Sequence, residues 1–192
     1  MSRFLAVSAL RVAVVLSLFD PLMAADWRIQ RAVQEARTPP LEGVMRTATD
    51  AGRREIVLGL LLGVALLSGP AGPATAREAL FALVPANLVV DGIMWSVRRP
   101  RPDGDPKPGN SSFPSGHAAG AFALAMTLSR RWRKLAPVFF LAAGLVAFSR
   151  IYLNRHFASD VLVGAMIGLA IAWYVGMRFR KETLEAHVAG GG

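Results

Sequence analysis

The stretch Ser149–Met177, SRIYLNRHFASDVLVGAMIGLAIAWYVGM, joins a short polar segment carrying a histidine to a long apolar run. From Ala158 to Met177 only Ser159 and Asp160, at the very start, interrupt the apolar character. Twenty residues of α-helix rise about 30 Å, which is the thickness of the hydrocarbon core of a bilayer. The stretch therefore reads as a membrane-crossing helix with a chemically equipped segment at its entrance.

Working outward, five further apolar segments appear: Phe4–Phe19, Ile56–Thr75, Ala79–Val97, Gly116–Ser129 and Leu135–Phe148. The last two are short for a full crossing, but the Arg and Lys side chains that flank them can snorkel to the interface. The 192 residues are 53% hydrophobic and 18% charged, with the charges gathered between the apolar runs. Mean hydropathy is +0.39. These values predict an all-α, polytopic membrane bundle of about six transmembrane helices. The chain forms one domain over 1–192, with a core over 79–177 and an N-terminal helix and interfacial segment over 1–55. The net charge of +9 sits beside apolar runs. It points to anionic lipids or anionic substrates, and away from nucleic acid. The absence of cysteine excludes disulfides, thiolate metal sites and a cysteine nucleophile.

Arg11 interrupts the first segment, and Pro-Leu-Met-Ala-Ala follows it at 21–25. Retention as a helix is the expectation, with a cleaved signal as the alternative. In the mixed-charge segment Asp20–Glu55, Ile29, Val33 and Ala36 recur at helical spacing near Trp27, which predicts a short helix lying on the interface. With six spans and both ends inside, RRWRK (Arg130–Lys134) and RFRK (Arg178–Lys181) face the cytoplasm, as the positive-inside rule asks. The tally over the whole chain runs the other way, nine basic residues inside and twelve outside. The clusters weigh more, because they abut helix ends. On this topology the loops Arg98–Ser115 and Ser149–Ser159 emerge on one face of the membrane.

Those loops hold the candidate chemistry. His117 and His156 each open an apolar helix, whereas His187 lies in a polar, glycine-ended tail with no evident role. Arg99, Arg101, Arg150 and Arg155 would repel one another unless a dianion sat among them, and guanidinium forks suit phosphate oxygens. Taken singly, Arg99 and Arg155 are expected at lipid headgroups. In Pro114-Ser115-Gly116-His117 a helix begins, and its free N–H groups attract anions. Ser115 either caps that helix or gives its hydroxyl to a phosphate oxygen. His156 and Asp160 are one helical turn apart. Asp160 either fixes the imidazole tautomer or is a first-turn acid favoured by the helix dipole.

Arg101-Pro102, Pro114–His117 and the Ser149–Asp160 pattern of serine-arginine, five residues, histidine, three residues, aspartate together resemble the type 2 phosphatidic acid phosphatase superfamily. This group of lipid phosphate phosphatases shares its site with vanadium haloperoxidases. The resemblance covers Ala79–Met177. It implies that His156 is a nucleophile forming a phosphohistidine, that Asp160 orients it, and that His117 is the general acid. It also implies that Arg101, Ser115, Gly116 and Arg150 bind phosphate, and that neither metal nor cofactor is needed.

One position departs from the pattern. The family's first motif has a lysine seven residues before the arginine at 101, and this chain has Met94 there. Arg98 is a possible replacement cation, Lys107 a second. Asp91, acidic within an apolar run, should pair with Arg98 or Arg150. The expected substrate is an isoprenyl diphosphate such as undecaprenyl diphosphate, followed by phosphatidic acid or phosphatidylglycerophosphate. A lipid phosphotransferase or a non-catalytic lipid-binding protein is the alternative, and a haloperoxidase is disfavoured by the apolar spans. The expected setting is the inner (plasma) membrane, with the site on the periplasmic or extracellular face. The small-residue spacing Gly164-Ala-Met-Ile-Gly168 predicts close helix packing within the protomer, with a homodimer interface as the alternative.

Overall fold

The computed structural model describes residues 21–104 and 111–189, with side chains described as far as Lys181. The segment Phe4–Phe19, with its choice between helix and signal, lies outside the described residues, as does Lys107. The described residues contain no strand. The helices are α1 (residues 21–35), α2 (Pro39–Ala51), α3 (Arg54–Leu67), α4 (Gly72–Ser96), α5 (Gly116–Arg131), α6 (Ala136–Tyr152) and α7 (Ala158–Ala189). The 3₁₀ turns Gly69–Ala71 and Arg133–Leu135 lead into α4 and α6. α4 starts earlier than the apolar pattern suggests, because Pro73 and the residues after it suit a helix's first turn.

Among the described residues, three helical segments are long and apolar enough to cross a membrane: Gly69–Ser96, Arg133–Tyr152 and Ala158–Lys181. α3 has 14 residues and α5 has 16. At 1.5 Å per residue the latter is about 24 Å long. α5 is also the least lipid-like of the set, because it is the central helix. α4, α6 and α7 all pack on it, and Ala118, Ala119, Ala123, Leu124, Ala125, Thr127 and Leu128 are buried. Its alanines let the neighbouring backbones approach. The outer faces carry large apolar side chains instead, such as Leu62 and Leu67 on α3, Leu88 on α4, Leu141 on α6 and Leu162 on α7. That apolar surface suits lipid.

Gly164 and Gly168 of α7 sit directly against α5. A Cβ added at Gly164 would lie 2.3 Å from the Ser115 carbonyl oxygen, and one at Gly168 would lie 2.1 Å from that of Ala119. The small-residue pair is thus used inside the protomer. At the other end Arg130 leaves the basic cluster and turns inward, donating to Glu78 and to the Ala172 carbonyl, both at 2.8 Å.

The segment Asp20–Glu55 departs from the expected single interfacial helix. Its described residues form α1, α2 and the first residues of α3, and the inward stripe of α1 is mainly polar, with Val33 its apolar member. Asp26 and Gln30 are buried, whereas Trp27 and Ile29 are exposed. Gln30 donates to the Ile151 carbonyl at 3.0 Å and to Asn154 Oδ1 at 2.7 Å. Gln34 donates to the Tyr152 carbonyl at 3.1 Å. The reason is local. α6 ends at Tyr152, leaving carbonyls without intrahelical partners, and the glutamines of α1 satisfy them. Asn154 takes a left-handed conformation (φ 60°), which turns the chain out of α6 toward His156.

Candidate active site

The loop between α4 and α5 closes on itself at its two stems. Ser112 N–H donates to the Arg99 carbonyl at 2.8 Å, and Ser111 Oγ donates to the Val97 carbonyl. Ser115 N–H donates to the Asp160 carbonyl at 2.9 Å. The starts of α5 and α7 are thereby fastened together, which brings the two sequence-remote polar loops into one place.

His156 is 3% exposed. Its Nδ1 lies 2.6 Å from the Ser112 carbonyl oxygen. A carbonyl only accepts, so Nδ1 carries the hydrogen and Nε2 presents its lone pair. Arg101 Nη1 is 3.3 Å from that Nε2 and also donates to the Arg155 carbonyl at 3.0 Å. Burial, and then the cations Arg150 and Arg101, hold the His156 pKa well below the ordinary histidine value, against the opposing pull of the Ser112 carbonyl.

The expected carboxylate–imidazole bond is replaced by this backbone contact. Asp160 Oδ2 is 4.0 Å from His156 Nδ1. Its oxygens are engaged elsewhere, Oδ2 accepting from Phe157 N–H at 2.7 Å and Oδ1 from Arg99 Nη1 at 2.5 Å. Asp160 is fully buried. Arg99 is the second correction. It is not at a lipid headgroup; it is enclosed between Asp160 and Asp26, with Nη2 2.7 Å from Asp26 Oδ2 and its guanidinium carbon 4.3 Å from the Phe157 ring centre. Asp26 also accepts from Ser159 N–H at 2.9 Å. The α1 residue Asp26 thus holds the start of α7, a link that no motif spacing announces. Only a buried position for an acidic residue on α1 would have flagged it. Arg155 is likewise paired, with Asp103 at 2.7 Å.

One cavity, of about 500 Å³, gathers most of the predicted residues. Its lining includes Arg101, Gly116, His117, Arg150 and His156. His117 packs against the α2–α3 turn, where a Cβ at Gly52 would come within 3.0 Å of the imidazole. Arg150 donates to Thr49 Oγ1 at 2.6 Å, and its buried Nε has no hydrogen-bond partner among the described residues. Three predicted residues stand outside the lining: Asp160, whose contacts are given above, Ser115 and Arg98. Ser115 is fully buried and its Oγ accepts from Ala118 N–H at 3.4 Å, so of its two expected uses the structure shows the helix cap. Arg98 is exposed at the end of α4 and does not reach the cavity, so it does not replace the missing lysine.

Met94 does line the cavity, and so does a cation that the sequence reading overlooked, Arg54 at the start of α3. Arg54 is also the partner of Asp91, Nη2 to Oδ2 at 3.3 Å, in place of the expected Arg98 or Arg150. The start of α3 lies across from the end of α4, and Arg150 is engaged by Thr49. Below this rung the walls are apolar, Val57, Leu58, Leu80, Leu83, Val84 and Leu88, except for Asn87, whose amide donates to the Leu83 carbonyl at 2.8 Å. Among the described residues no three His, Asp or Glu side chains converge as metal ligands. The arrangement can hold an anion against an unprotonated imidazole nitrogen beside Arg101, with room for an apolar chain between α3 and α4.

Fold and site together define a helical membrane protein with a cationic, two-histidine pocket at the mouth of an apolar groove. Comparison with known proteins gives the family. A sequence model of the PAP2 superfamily matches residues 75–183, and the chain belongs to that superfamily. It is 38% identical over 103 residues to a lipid A 1-phosphatase of Porphyromonas gingivalis, covering 50% of this chain and 22% of that protein. It is 37% identical over 73 residues to an undecaprenyl-diphosphatase of Sulfolobus acidocaldarius, covering 36% of this chain and 34% of that one. The chain thus spans about a fifth to a third of the length of these two relatives. The crystal structure of a transmembrane PAP2-type phosphatidylglycerolphosphate phosphatase from Bacillus subtilis superposes with a TM-score of 0.69 at 27% identity, over 84% of this chain and 87% of that one.

Proposed function

We propose that this protein is a metal-independent lipid phosphatase that removes a phosphate from a lipid phosphate or diphosphate through a phosphohistidine on His156. The observation that carries the proposal is the shared cavity: His156, His117, Arg101 and Arg150 line one end, and the rest of its wall is largely apolar. A phosphate head and a hydrocarbon tail are the two halves of a lipid phosphate. Family membership points the same way.

In this reading the lone pair of His156 Nε2 attacks phosphorus as the bond to the lipid oxygen breaks. His117 gives its proton to the leaving oxygen. A water oxygen then attacks phosphorus as the N–P bond breaks, its proton passes to His117, and inorganic phosphate is released with the lone pair restored to His156 Nε2. Arg101, Arg150 and the N–H groups at Gly116 neutralise the equatorial oxygens, which is most of what phosphoryl transfer asks of a protein. Positive charge developing on the imidazole is met by the Ser112 carbonyl and by Asp160. Asp160 orients His156 indirectly, through the Phe157 amide.

Among substrates we favour an isoprenyl diphosphate, with phosphatidic acid and phosphatidylglycerophosphate next. The relatives act on chemically different lipids by name, which leaves the choice to the tail groove and the residues around the head. We place the site at the outer face of the cytoplasmic membrane, because the exposed basic residues Arg131, Arg133, Lys134, Arg178, Arg180 and Lys181 sit at the opposite helix ends. The test is phosphate release from a panel of these lipids in detergent with chelator present. Release should persist with chelator, and His156→Ala should cut it by about 10³-fold or more while the protein elutes as the wild type does. Unchanged release from His156→Ala, or abolition by chelator, would remove the mechanism.

A further inference from the structure

Arg54 and Asp91 form a rung across the cavity at one defined height. On α4, Asp91 lies about one turn above Leu88 and Asn87. On α3, Arg54 lies about one turn above Val57 and Leu58. All six line the cavity. The rung therefore stands between the cationic end, where a phosphoryl group would sit, and the apolar groove, where a tail would lie. It also stands beside His117, because Gly52, two residues before Arg54, touches that imidazole. His117 is the residue proposed above to protonate the leaving oxygen. Arg54 is thus on the leaving-group side of the site.

The Arg54–Asp91 contact is easily exchanged. Its distances are 3.3 and 3.5 Å, and the two side chains are 68% and 45% exposed. Exposed pairs of this kind contribute little to stability, and a phosphate offers the guanidinium a better bidentate partner than this long contact. Met94 beside them supplies no charge.

Resting on the phosphatase reading above, we propose that Arg54 is a specificity-determining residue that leaves Asp91 to bind a second phosphate, the one between the transferred phosphoryl group and the tail. In a diphosphate this second phosphate is the leaving group. Its negative charge grows as the P–O bond breaks, so Arg54 would stabilise the transition state as well as the bound substrate.

The test compares kcat/KM for an isoprenyl diphosphate and the matching isoprenyl monophosphate. Arg54→Ala should lower the diphosphate-to-monophosphate ratio by at least tenfold, Arg54→Lys should restore part of it, and Asp91→Asn should lower the KM for the diphosphate. A ratio unchanged by Arg54→Ala would overturn the inference while leaving the phosphatase reading intact. An equal loss on both substrates that vanishes in uncharged detergent would also overturn it, by making Arg54 a contact for anionic headgroups. Binding of methylenediphosphonate and of inorganic phosphate, measured by calorimetry, is the readout independent of turnover. Wild type should prefer the diphosphonate and Arg54→Ala should not; equal preference in both proteins sinks the proposal even if neither lipid is hydrolysed.

Discussion

At the scale of single residues, the environment of His156 decides its chemistry. An exposed histidine is half protonated near pH 6.5 and would be a poor nucleophile in mild acid. Burial, Arg150 and Arg101 all disfavour the charged ring, so the folded pKa is lowered. The sign follows directly: with a lowered pKa the neutral, nucleophilic form persists as pH falls through 6.5. Hydrolysis should therefore keep its rate into mild acid. The acid limb of kcat/KM, corrected for ionisation of the substrate, is expected to have its midpoint below pH 6.5. A midpoint at or above that value would mean that the imidazole is not shielded as the geometry implies. Asp160 illustrates the complementary point. Its position one turn after the histidine suggests a direct bond, but its carboxylate is committed to Arg99 and the Phe157 amide, and the direct bond to the imidazole comes from the Ser112 carbonyl.

At the scale of elements, α5 and α7 are held at a separation that only glycine permits, and this contact sits immediately behind the site. An added methyl at Gly164 would press on the Ser115 carbonyl, and one at Gly168 on that of Ala119. Both substitutions overpack a tight interface, at a cost of about 1–3 kcal/mol. Their effects on activity should separate. Gly164→Ala pushes directly on the cap of α5, next to Gly116 and His117, and a displacement of about 1 Å there is enough to cost on the order of 10²-fold in turnover. Gly168→Ala acts one turn further from the site and should lose stability with a smaller loss of turnover. Thermal unfolding in detergent and phosphate release, measured on both variants, check the pair. Equal activity for Gly164→Ala and wild type would show that α5 and α7 yield without moving the site. α1 teaches the converse lesson. Its apolar Ile29 lies at the surface, and its polar Asp26, Gln30 and Gln34 join Val33 in the packing.

At the scale of the whole molecule, the proposed sidedness is directly measurable. The chain has no cysteine, so each introduced thiol is unique. Arg98 lies at the site's end of the bundle and Lys134 at the other, and both are exposed. In intact cells a membrane-impermeant maleimide should label Arg98→Cys, and should label Lys134→Cys only after permeabilisation; the reverse pattern would invert the orientation. The helical membrane architecture was legible from the apolar runs, because a bilayer demands long uninterrupted helices and the hydropathy pattern records that demand. The cluster of His117, His156, Arg101 and Arg150 was legible too, since spacing within two short loops constrains what can meet. What spacing does not encode is the partner supplied by a distant segment. That Asp26 of α1 grips Arg99, that a backbone carbonyl holds His156, and that Arg54 of α3 meets Asp91 of α4 were decided by tertiary packing alone. Each joins residues far apart in the chain, and in a single sequence nothing local changes when such a contact is made.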